Sequence, residues 1–152
     1  MKSAGPVILS IILGTILGSI IMSVTLPPHT GSGVLPSPNF DDNLMIAIKG
    51  AFGGIFGLVS SLAALALEKN SMLRNVTFRQ VVIFTVVFGL INSLIFAALE
   101  LNNAVYGQRP PVHLNEFQKA AILRTAIVEF ITGCAIACTS FLLIRYWNRS
   151  TE

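Results

Sequence analysis

Residues 6–26, PVILSIILGTILGSIIMSVTL, contain no charged side chain. Twenty-one residues rise about 30 Å as a helix, which matches the hydrocarbon thickness of a lipid bilayer. Three further apolar stretches follow, at 44–67, 80–101 and 119–146. A helix on the surface of a soluble protein keeps a polar face. These stretches are predominantly apolar and carry few charges, which is the composition of a segment surrounded by lipid or by other helices. Charged residues make up 11% of the chain and hydrophobic ones 53%, where a soluble domain carries about 25% charged. Disorder requires the opposite balance, low hydrophobicity with high charge. The expected fold is therefore all-α: an integral membrane four-helix transmembrane bundle. Its outer loops are 27–43 and 102–118.

The 152 residues are expected to form a single membrane domain. The loops are too short for a further soluble domain of about 50 residues. Lys2 before the first stretch also suits a secretory signal. A signal core spans about 7–15 residues and ends at a small-x-small site. This run is longer and ends at Leu26-Pro27-Pro28, so a retained first helix is expected. Pro27, Pro28, Pro36 and Pro38, with Gly31 and Gly33, keep the first loop out of helix. Asp41, Asp42 and Asn43 offer N-caps for the second helix. Tyr146 and Trp147 close the fourth as interfacial anchors.

The net charge of +3 does not mark a nucleic-acid protein, because the cations sit singly at span ends rather than in a patch. They set orientation instead, since short cytoplasmic loops are enriched in Lys and Arg. Lys2, Lys69, Arg74, Arg79, Arg145 and Arg149 fall on one side, Arg109 and Lys119 on the other. Both termini are thus expected on the same, cytoplasmic-type side of a plasma or inner membrane, or of an energy-transducing organelle membrane. Acceptor-like strings at Asn75-Val76-Thr77 and Asn148-Arg149-Ser150 fall on that inner side, where chance explains them. No internal repeat stands out.

Helices in lipid associate through close packing, so small residues line their contacts. Gly14 and Gly18 form such a seam in the first span, and Gly50, Gly53, Gly54 and Gly57 in the second. Gly89 and Ser93, with Asn92 alongside, mark the third, and Gly133 the fourth. Four ionisable residues share these faces or the outer helix ends: Lys49, Glu100, Arg124 and Glu129. Glu129 lies 18 residues before Trp147, about 27 Å along a helix, and is the deepest carboxylate. Charges in a membrane are costly unless paired. The expectation is an outer-side cluster in which Lys49 and Arg124 neutralise Glu100 and Glu129.

Chemistry of other kinds lacks its residues. The spans hold no histidine for haem or pigment ligation. His29 and His113 occupy the two outer loops with Asp41, Asp42 and Glu116, without the close spacing of a metal site. No phosphate loop, hydrolase elbow or zinc-protease motif occurs. Gly50-Ala-Phe-Gly53-Gly54 lacks the Lys-Ser/Thr of a phosphate loop and reads as packing. Cys134 and Cys138, one helical turn apart, read as small apolar residues. Phe52, Phe56, Phe84, Phe88, Phe96, Phe130 and Phe141 read as lipid or helix contacts rather than a quinone site. No catalytic residue, cofactor or metal is expected.

The expected role is a non-catalytic accessory or scaffold subunit of a larger membrane complex, with the lipid bilayer and other membrane subunits as partners. The alternative is a small transporter or channel, a homo-oligomer working through Glu129 and Lys49. Orientation is directly testable. Cysteines introduced within 27–43 should label only from the non-cytoplasmic face, and those within 69–79 only from the cytoplasmic face. The reverse pattern would overturn the orientation.

Overall fold

The computed structural model describes residues 4–25, 40–69, 78–105 and 114–149. They form four helices: α1 (Ala4–Thr25), α2 (Phe40–Lys69), α3 (Phe78–Val105) and α4 (Glu116–Arg149). Each is long and apolar enough to cross a membrane. The helices overrun the expected spans. α2 already begins at Phe40, so Asp41, Asp42 and Asn43 lie in its first turn rather than before it as caps. α4 starts at Glu116 because Asn115 and Gln118 form a capping box. The Gln118 N–H donates to Asn115 Oδ1 at 2.8 Å, and the Asn115 N–H donates to Gln118 Oε1 at 3.0 Å.

The helices associate as two hairpins, α1 with α2 and α3 with α4. In the first, Gly14 faces Gly53, Gly18 lies on the backbone of Lys49, and Gly57 lies on the carbonyl of Ser10. At each of these glycines a Cβ would overlap a carbonyl oxygen of the opposite helix. Gly50 and Gly54 seat Ser19 and Thr15. In the second hairpin Gly89 lies on the backbone of Phe130. A Cβ on Gly133 would stand 3.0 Å from the Cα of Gly89. Ser93 Oγ donates to the Ala126 carbonyl at 2.7 Å. Both seams are antiparallel.

The hairpins meet along α2 and α4. Ser60 Oγ donates to Ser140 Oγ at 3.0 Å, and Lys49 pairs with Glu129. Both links join residues 80 apart, so α2 and α4 run parallel in one constant register. The same register sets Gly53, the seat of α1, against Gly133, the seat of α3. On the outer helices, Ser10, Gly14 and Gly18 correspond to Thr85, Gly89 and Ser93 with identical spacing. The two hairpins are thus copies of one plan about an approximate twofold axis between α2 and α4. Few aligned positions are identical, which hid the repeat from the sequence.

The symmetry is broken at one junction. α1 leans on α4, where the Trp147 ring lies over Gly5. α2 and α3 make no comparable backbone approach. Phenylalanine rings bridge them instead. Phe52–Phe96 and Phe56–Phe88 meet edge-on at 5.4 and 5.6 Å, and Phe84 stacks on Phe88 at 4.6 Å. Phe84 also packs with Ala64, Ala137, Phe141 and Ile144 in the buried core. α1 and α3 are the outer helices: 22% and 17% of their apolar stretches are buried, against 44% for α2 and α4. Cys134 and Cys138 are free thiols, and Cys134 Sγ donates to the Thr85 carbonyl at 3.6 Å.

The glycine contacts separate two kinds of substitution. Gly53→Ala drives a methyl into the Gly14 carbonyl and should cost about 1–3 kcal/mol, the usual range for overpacking. Gly54→Ala meets Thr15 Oγ1, a side-chain tip that can turn away, and should cost less. Reversible unfolding in mixed micelles measures both. Equal losses would remove the distinction.

Candidate functional site

The polar centre of the bundle lies where the two hairpins join. Lys49 sits one turn before Gly53, on the α2 face turned toward the other hairpin. Its carbonyl supports Gly18 of α1. Its ammonium reaches across to α4 and forms an ion pair with Glu129 Oε1, one turn before Gly133. The Lys49 and Glu129 side chains are 17% and 8% exposed.

α3 completes the pair's surroundings. Asn92 Nδ2 donates to Glu129 Oε2 at 3.0 Å and to the Glu129 main-chain carbonyl at 2.8 Å. One turn further along α3, the Phe96 ring faces the ammonium, with its centroid 3.3 Å from Nζ. Each carboxylate oxygen therefore has its own donor, and the ammonium has both a carboxylate and an aromatic face. A buried pair loses the hydration of both ions and is tolerated only when geometry and extra hydrogen bonds compensate. Asn92 and Phe96 supply that compensation.

Beside the pair lies a cavity of about 10 Å³, close to the least volume that admits one water. Lys49, Asn92, Glu129 and Thr132 give it polar walls, and Gly18 brings α1 to it. Lys49 is three residues inside the apolar stretch Ile46–Leu67. The site is thus near one end of that stretch, away from its middle.

Of the four expected cluster residues, Lys49 and Glu129 form an ion pair. Glu100 is half-buried, two turns beyond Asn92 on α3, and Arg124 is exposed, five residues before Glu129 on α4. Both lie further toward the end of the bundle where α3 finishes and α4 starts. Asn92 and Phe96 were not assigned to the site from sequence. Their legible signal was an amide on the Gly89–Ser93 face of an apolar helix, followed one turn later by an aromatic ring. Among the described residues no three His, Cys, Asp or Glu side chains are grouped to hold a metal. His29 and His113 lie outside the described residues. Glu116 is an exposed partner of Lys119 at 2.8 Å.

No family model, curated protein or solved structure matches this chain.

Replacing Lys49 by Met strands the Glu129 carboxylate and should cost about 3–5 kcal/mol, as for other broken buried pairs. Lys49→Met/Glu129→Leu removes both charges and should recover most of that loss. Unfolding of the single and double variants in mixed micelles tests this. A double variant no more stable than the single one would show that the pair is not the source of the loss.

Proposed function

We propose that this chain is an integral multi-pass membrane protein without catalytic activity, an accessory or scaffold subunit of a larger membrane complex. In this reading the bilayer surrounds the four helices, and both termini lie on the cytoplasmic-type side. The Lys49–Glu129 pair is the clamp that fastens one hairpin to the other. The observation that carries the reading is how closely that pair is enclosed: Asn92 donates to Glu129 Oε2, the Phe96 ring covers the Lys49 ammonium, and the cavity beside the pair has room for about one water. A site that binds and releases a solute needs room and an unspent polar group.

The small-residue seams offered in the sequence as contact surface are occupied inside the bundle. Gly14, Gly18, Gly50, Gly53, Gly54 and Gly57 join α1 to α2, while Gly89, Ser93 and Gly133 join α3 to α4. Contacts with other subunits therefore fall to the outward apolar faces. The broadest belongs to α3, where Val86, Leu90, Ile91, Leu94 and Ile95 are exposed.

One observation favours a second reading, a small transporter. The pair lies between two like hairpins, and transporters built from parallel repeats hold their sites at such an interface. Gentle detergent extraction and native mass measurement are expected to recover the chain with unlike subunits. Glu129→Gln, neutral and of the same shape, is expected to lower thermal stability. Recovery as a homo-oligomer whose solute or ion flux is lost in Glu129→Gln, with stability unchanged, would establish transport instead.

A further inference from the structure

The approximate twofold exposes an unmatched place in the bundle. Where α1 meets α4, the Trp147 indole covers Gly5, and a Cβ there would stand 3.0 Å from the ring. The register that matches Ser60 with Ser140 also matches Leu67 with Trp147. The one that matches Gly14 with Gly89 also matches Gly5 with Gln80. At this second junction, between α2 and α3, no indole fills the space. A groove of about 300 Å³ remains, bounded by Leu67, Gln80, Ile83, Phe84, Phe88 and Phe141. Its walls are almost wholly apolar.

One end of the groove is cationic. Arg79 adjoins Gln80 and is exposed at the start of α3, and Arg145 stands one turn beyond Phe141 on the same face of α4. An apolar slot with cations at its mouth complements an amphiphile with an anionic head. A helix, about 10 Å across with its side chains, is too wide for a slot of this volume.

We propose that the groove holds one acyl chain of an anionic glycerophospholipid, with the phosphate facing Arg79 and Arg145. The chain lies along Phe84, Phe88 and Phe141 and takes the place that Trp147 fills at the opposite junction. The inference rests on the membrane placement above. Release of the chain from membranes by alkaline extraction would sink that placement, separately from the result below.

The test is native mass spectrometry of the full chain released from nanodiscs of equal phosphatidylglycerol and phosphatidylcholine. The wild-type chain should carry one retained phospholipid, enriched in phosphatidylglycerol. Leu67→Trp rebuilds the opposite junction's indole in the groove and should lose the retained lipid while keeping its helical content and melting temperature. Arg79→Gln and Arg145→Gln should keep a lipid, each lowering the preference for phosphatidylglycerol about five-fold. The proposal is overturned if the wild type retains no lipid, if folded Leu67→Trp retains it unchanged, or if the arginine variants leave the preference intact. A folded Leu67→Trp that instead loses an unlike protein subunit would assign the groove to that subunit and overturn the proposal too.

Discussion

Backbone-to-backbone contact at glycine is the constraint on which the other features rest. In the lipid setting proposed for this bundle, burying a leucine side chain yields little, because lipid is as apolar as the partner helix. Association then depends on dispersion and on dipoles brought close. Gly14 against Gly53, and Gly133 against Gly89, allow that approach. Once these seams close, the orientation of each helix about its axis is set. Lys49 and Glu129, each one turn from a seam glycine, are turned toward one another as a consequence.

The ion pair follows from the seams and then adds to them. The hairpins could slide or rotate along α2 and α4, where most contacts are apolar and tolerant of register. A single ion pair, with Ser60 on Ser140 at the same offset, selects one register. This is a use of buried polar groups for specificity, at a desolvation cost. Asn92 and Phe96 extend the pair to α3, which otherwise touches the first hairpin through phenylalanine rings. All four helices thus converge on one charged point within a largely apolar bundle.

The likeness of the two hairpins also gives the asymmetries of the molecule a meaning. At equivalent positions one half carries Lys49 and the other Glu129, which turns what would be a like-charge contact into an attractive one. At another equivalent pair, Trp147 and Leu67, one junction is filled and the other is open. The ring-bridged junction between α2 and α3 is part of the same departure, since backbone approaches and the Trp147 indole join α1 to α4 instead.

The number of helices, their approximate extents and their small-residue faces were legible in the sequence. They depend on local properties: apolar length, glycine spacing and absence of proline beyond the first turn. The capping box at Asn115 and Gln118 was equally local and marks where α4 starts. The site was half legible. Helical periodicity put Lys49 and Glu129 on seam faces, but periodicity gives a direction on one helix and not a partner on another. Choosing Glu129 for Lys49, and recruiting Asn92 and Phe96, required the relative register of α2, α3 and α4. That register arises from glycine contacts between segments tens of residues apart, and no local pattern encodes it. The twofold relation between the hairpins became visible for the same reason, because it is carried by which residues touch rather than by which residues are identical.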